Sequence, residues 1–147
     1  MILSGRDLQL YIETGKLVIQ PVQPEQFQQN GVDLVIESAE LQWEHFWLGC
    51  TREHLELPDD LMAFVEIRST WARRGFFLPP TIVDAGFKGN LTLEILVMGR
   101  MDPYGLQRTV PPVGERFAHL IFAKTSGPCQ PYSGKYQGQS GITGPKE

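Results

Sequence analysis

Residues 83–98 read VDAGFKGNLTLEILVM, and the second half of this stretch decides the fold. From Asn90 onward, Leu91, Leu93, Ile95 and Val97 point one way, and Thr92, Glu94, Leu96 and Met98 the other. A period of two marks a strand with one face on a core. The first half is a turn, with Asp84 leading into Gly86, Phe87 and Gly89. Glycines there let the backbone come close to a ligand, and Phe87 offers an aromatic face. Glu94 falls mid-strand on the second face. Either it is an ordinary solvent-facing glutamate, or apolar neighbours shield it and ready it to exchange a proton.

Just upstream, RSTWARRG (68–75) puts three arginines and two hydroxyls into one turn-sized segment. Arginine forks and short hydroxyls are the usual partners of phosphate oxygens. A basic solvated turn has the same composition, so this segment alone does not decide. Taken with the 83–95 segment, it points to a site for a nucleotide or another phosphate.

Outward from here the chain reads as short strands. Ser4, three residues before Asp7, marks a helix start; Asp7–Thr14 has apolar residues at 8, 10, 11 and 12, and Gly15 ends the helix. Strands are expected at Leu17–Ile19, Gly31–Ile36, Leu41–Leu48, Met62–Ile67, Leu91–Met98 and Phe117–Lys124. Loops are expected at Gln23–Asn30 and around Asp102–Pro112, with a turn in LELPDDL (55–61). Fifteen glycines and eleven prolines in 147 residues fit many turns, hence a single β-sandwich or jelly-roll domain with one N-terminal helix. Residues 126–147 are rich in Gly, Ser, Gln and Tyr, as in a tail that is mobile until something binds.

The totals narrow the function. A net charge of −4 argues against a nucleic-acid-binding surface while leaving room for a local cationic pocket. No apolar run approaches the ~20 residues of a membrane span, and the N-terminus lacks an export signal, which points to the cytoplasm. Cys50 and Cys129 form no CxxC pair, and His45, His54 and His119 stand singly. A metal held by protein side chains alone is not expected.

Six segments in order resemble the dCTP deaminase branch of the dUTPase-like superfamily. They are MILSGRDL (1–8), GVDLVI (31–36), TREHLELPDDL (51–61), RSTWARRG (68–75), VDAGFKGNLTLEI (83–95) and PYSGKYQGQSG (131–141). The resemblance implies a mainly β, distorted jelly-roll or β-clip subunit. It further implies a homotrimer with active sites between neighbouring chains, and zinc-free hydrolysis of dCTP to dUTP. Glu94 matches the family's general acid/base, and Arg73 the second arginine that builds the catalytic pocket. Arg68, Ser69 and Thr70 match its phosphate-binding Arg-Ser-Ser. Asp84 and Phe87 match the residues that meet the deoxyribose, and the backbone from Asn90 to Thr92 would read the base edge. Tyr132, Lys135 and Gln139 match tail residues that fold over the triphosphate, on which Mg²⁺ would ride. The chain departs from the family pattern at Pro79-Pro80-Thr81-Ile82 and is short between Ile36 and Thr51. Two other readings stay open. One is a dUTPase, alone or combined with deamination, that uses Asp84 to place a water against the α-phosphate. The other is a non-catalytic module that binds deoxynucleoside triphosphates.

Overall fold

The computed structural model describes residues 1–98 and 109–147. Helix α1 (Gly5–Glu13) starts where the sequence says, because Ser4 and Asp7 cap each other: Asp7 N–H donates to Ser4 Oγ (3.1 Å) and Ser4 N–H to Asp7 Oδ2 (3.2 Å). This reciprocal pairing satisfies two otherwise orphaned donors of the first turn. The rest is mainly strand: β1 (Val18–Gln20), β2 (Phe27–Gln28), β3 (Gly31–Trp43), β4 (Phe46–Glu56) and β5 (Leu61–Ile67). A one-turn helix α2 (Ser69–Ala72) separates these from β6 (Phe76–Phe77), β7 (Thr81–Val83), β8 (Lys88–Val97) and β9 (Arg116–Lys124). The loop expected around 102–112 lies, up to residue 108, outside the described residues.

The described strands pair antiparallel in the order β6-β8-β4-β3-β9-β5-β7, with β1 on β4 and β2 on β3. The long β3 makes two faces of this sheet. Its first half, Val32–Val35, pairs with β9, and its second half, from Ile36 on, pairs with β4. Register shifts at Leu34/Val35 and Ile36/Ser38 mark the bend. Bulges of this kind turn one sheet into two packed faces. The core between them is fully buried Leu8, Ile36, Leu93, Ile95, Phe117 and Phe122, each contributing about 1.5–3 kcal/mol. In β8 the buried residues alternate as expected, with Leu91, Leu93, Ile95 and Val97 inward and Thr92, Glu94 and Leu96 half-buried.

Two expectations fail. Gln23–Asn30 is not loop throughout, because Phe27–Gln28 form β2 and pair with Val32 and Gly31. LQWEHFWL (41–48) is not a strand but a hairpin: β3 runs to Trp43, β4 starts at Phe46, and those two residues face each other. Glu44 adopts φ +38° to close the turn. Such tight turns need left-handed backbone and are usually signalled by Asn or Gly, so a glutamate there left no trace in the sequence. The aromatic rings of Trp43 and Phe46 pack at 4.6 Å between centroids across the hairpin end.

Gly31 is needed where β3 meets β9. A Cβ there would stand 2.0 Å from Leu120 O and 2.8 Å from His119 Nε2. Gly31→Ala is therefore expected to destabilise the fold by about 3 kcal/mol, read as a drop in the urea midpoint.

Glu53 is fully buried. Its carboxylate accepts from Val35 N–H (3.0 Å) and Gln26 Nε2 (2.8 Å), and burial pushes its pKa above the ordinary 4.5 despite those bonds and the Arg52 charge. The native state thus holds this proton more tightly than the unfolded chain. The associated stability is complete below pH 4.5 and is lost as pH rises through the raised value. Over that window the wild type should lose stability relative to Glu53→Gln, which has no proton to release. Urea midpoints of the two proteins at a series of pH values check this.

Candidate active site

A cleft of about 510 Å³ opens over β8. Leu91, Thr92, Leu93 and Glu94 line one side, and Thr81–Asp84 and Phe87 another. The hairpin residues Gln42, Trp43 and Phe46 and the tail residues Tyr132, Tyr136, Gln139 and Thr143 complete the walls. The lining is largely apolar with a few polar groups, the usual make-up of a small-molecule site. Among the described residues no three His, Cys, Asp or Glu come together to hold a metal ion.

Glu94 is half-buried on the cleft face of β8, paired across the ladder with Leu48. The apolar neighbours that would shield it are present, but the single chain leaves its carboxylate partly open. Asp84 is exposed at the rim and begins a tight turn, in which Phe87 N–H donates to Asp84 O (3.1 Å). Gly86 sits at the third position of that turn with φ +81°, a backbone state open to glycine. A Cβ at Gly86 would also strike Pro131 at 2.7 Å, so the tail docks only because the side chain is missing. The turn leaves Phe87 buried, its ring 5.9 Å from that of Tyr132.

The tail lies along the start of β8. Gly138 N–H donates to Lys88 O (2.8 Å), Asn90 N–H to Gln139 O (3.0 Å), and Thr143 N–H to Thr92 Oγ1 (3.0 Å). Gln139 Nε2 returns a bond to Asn90 O (2.7 Å). Both backbone groups of Asn90 are thus engaged by the tail. Its side chain turns away from the cleft and donates to Thr51 O (3.0 Å) and Glu53 O (3.2 Å). Lys135 also stays outside the lining, its Nζ donating to Lys146 O (2.9 Å).

The arginine segment is elsewhere. Arg68, Ser69, Thr70 and Arg73 do not line the cleft. Arg68 Nε reaches Asp33 Oδ2 at 2.9 Å, where the 1% exposed aspartate also meets His119 Nδ1 (2.9 Å) and Arg116 Nη1 (3.5 Å). A buried carboxylate is tolerated only with such cationic and hydrogen-bonding neighbours. Trp71 anchors α2 between Phe76 and Phe117 and donates Nε1–H to Arg116 O (2.7 Å). Ser69, Thr70 and Arg73 are left on the outer surface. The chain therefore presents two separate polar surfaces, a carboxylate cleft and an arginine-hydroxyl turn.

A family model described as dCTP deaminase-like matches residues 36–125. The chain belongs to the dCTP deaminase-like family. It is 44% identical to the dCTP deaminase of Sulfurisphaera tokodaii, over 99% of this chain and 92% of that one. It is 45% identical to a viral protein named "Probable deoxyuridine 5'-triphosphate nucleotidohydrolase", from Sulfolobus islandicus rod-shaped virus 1, over 100% of this chain and 99% of the other. The crystal structure of the 2'-deoxycytidine 5'-triphosphate deaminase from Agrobacterium tumefaciens shares the fold, with a TM-score of 0.63 at 19% identity. That alignment covers 82% of this chain and 47% of the other, so this chain spans under half of that longer protein. The native EIAV dUTPase matches with a TM-score of 0.56 at 19% identity, over 81% of this chain and 98% of that one. The expected dUTPase-like, mainly β fold is thereby borne out.

Of the residues singled out by resemblance to the dCTP deaminase-like family, Asp84, Phe87, Thr92, Glu94, Tyr132 and Gln139 line one cleft. Trp43, Phe46, Tyr136 and Thr143 line it too, unforeseen. The aromatic density of WEHFW (43–47) is the sequence signal for Trp43 and Phe46. Asp33 as the holder of Arg68 was also missed, although an acid inside the apolar GVDLVI run hinted at a buried partner.

Proposed function

We propose that this protein catalyses hydrolytic deamination of dCTP to dUTP and ammonia, with the nucleotide bound in the β8 cleft. The observation that carries this reading is Glu94 standing in the same cleft as Asp84, Phe87, Thr92 and the tail residues Tyr132 and Gln139. A water molecule would add to C4 of the cytosine. Glu94 would take one proton from the water and pass it to the C4 amino group; as the amine leaves as ammonia and the C4 carbonyl forms, the hydroxyl's remaining proton ends on N3. Asp84 and the Phe87 ring would hold the deoxyribose, and the backbone up to Thr92 the base edge. Tyr132, Lys135 and Gln139 would close the tail over the triphosphate. Mg²⁺ would come with the triphosphate as part of the substrate, and no zinc would be needed. The relatives named dCTP deaminase at 44% identity support this assignment.

The position of the arginine segment supports a site shared between copies. Ser69, Thr70 and Arg73 are exposed outside their own chain's cleft, beside the half-buried Arg68 that Asp33 holds. In a homotrimer each chain would lend this surface to a neighbour, where Arg68, Ser69 and Thr70 would grip phosphates and Arg73 would shape the pocket.

A second reading adds dUTP hydrolysis to dUMP and pyrophosphate. Asp84 at the cleft rim and the 45% identical viral relative favour it. Incubation with Mg²⁺ and either dCTP or dUTP, followed by ion-exchange separation, tests both. Accumulation of dUTP from dCTP with dUTP itself untouched supports deamination alone, and dUMP from both supports the combined activity. If dUMP forms from dUTP while dCTP survives, the deaminase reading fails. Binding without turnover in either tube sinks both.

A further inference from the structure

We propose that Glu53 and Gln26 are positioning residues for the reaction at Glu94, acting through a bulge in β4 that sets the path of β8. This rests on the deaminase reading above. The β4–β8 ladder breaks register between Cys50 and His54. Side chains replace the bonds missing there. Leu91 N–H donates to Thr51 Oγ1 (2.9 Å), Thr51 Oγ1–H donates to Glu53 O (3.1 Å), and Asn90 Nδ2 donates to Thr51 O and Glu53 O. The bulge therefore grips β8 at Asn90 and Leu91, immediately before the cleft residues Thr92 and Glu94. Bulges recur beside active sites because they re-aim the strands they touch.

What holds the bulge is Glu53. Its carboxylate points into the interior, where Val35 N–H and Gln26 Nε2 both donate to it. Gln26 Nε2 also donates to Asp33 O (2.8 Å), and Gln26 Oε1 accepts from Gln23 N–H (2.9 Å). Asp33 in turn holds Arg68. Buried hydrogen bonds thus run from the bulge beside the cleft strand to Asp33, whose ion pair with Arg68 reaches the start of α2. Among the described residues Glu53 has no salt bridge, and its full burial is costly for an acid. An apolar side chain would avoid that penalty but would leave Val35 N–H and Gln26 Nε2 without this acceptor. What the carboxylate supplies is two acceptors that fix donors on separate segments, a geometric role.

The test compares the full-length wild type, Glu53→Gln, and the exchanged pair Glu53→Gln with Gln26→Glu. In the exchanged pair the amide at 53 can donate to the carboxylate at 26 and accept from Val35 N–H, while the donation to Asp33 O is lost and a carboxylate oxygen faces that carbonyl instead. Glu53→Gln is expected to lower kcat for dCTP about tenfold, well below its melting midpoint, with KM changed less than about threefold. The exchange should restore most of kcat. A lowered melting midpoint with wild-type kcat would reduce Glu53 to a structural residue, and a folded exchanged pair with no recovery would also overturn the proposal. If Glu53→Gln does not fold, Thr51→Val removes the hydroxyl under Leu91 and should give the same loss in kcat. Hydrogen exchange at the Leu91 amide needs no turnover. It should quicken about tenfold in Glu53→Gln, or in Thr51→Val. Should the wild type not deaminate dCTP, the functional reading falls alone, and an unchanged Leu91 amide would then sink the positioning role.

Discussion

Replacing Glu94 with glutamine is expected to lower kcat for dCTP deamination by roughly 10³-fold, about 4 kcal/mol of lost transition-state stabilisation. Glutamine keeps the size and one acceptor of the side chain, so the position opposite Leu48 in the ladder stays filled. What it loses is the capacity to accept a proton from water and return it to the leaving amine. KM for dCTP should stay within about threefold, because loss of a group that works only in the transition state leaves ground-state binding intact. The thermal midpoint should change little, since Glu94 is only half-buried and makes no ion pair within the described residues. Steady-state kinetics on the purified variant decide the matter. A variant that retains more than about a tenth of wild-type kcat would remove Glu94 from proton transfer.

Two inactive variants should rescue each other. If Glu94 acts in one chain's cleft and Arg73 comes from the next copy, neither Glu94→Gln nor Arg73→Ala contains an intact site. Unfolding the two together in equal amounts and refolding them mixes the chains. By random assortment, about a quarter of the sites then pair an intact Glu94 with an intact neighbouring Arg73. Activity should rise from background to about a quarter of the refolded wild type's. If both groups instead served the same site from one chain, mixing would restore nothing. The prediction follows from α2, whose Trp71 is locked against Phe76 and Phe117 and so directs Ser69, Thr70 and Arg73 outward. Background activity after mixing, with both variants folded, would place Glu94 and Arg73 in one chain's site, and an active Arg73→Ala would place that arginine outside the reaction.

Much of this was written in local sequence. The alternation at Leu91–Val97 specified β8 and the face on which Glu94 stands, because a strand's side chains obey a period of two wherever one face is buried. Ser4 and Asp7 specified the start of α1, because a capping box is a contact over three residues. Asp84, Gly86 and Phe87 specified the rim of the cleft, because a turn is closed by its own backbone. The ordered motifs specified the family.

Only the tertiary structure decided the remainder. It turned LQWEHFWL into a hairpin through the uncommon backbone of Glu44, which the side chain does not announce. It joined Arg68 to Asp33 and Glu53 to Gln26, pairs far apart in the chain whose partners no spacing rule could choose. It also set RSTWARRG on a different surface from Glu94, although the two lie close in sequence. Periodicity, caps and turns arise from interactions within a few residues and so can be read from the chain one segment at a time. Which surfaces meet depends on how β3 bends and where Trp71 packs, and those are settled by the whole core at once.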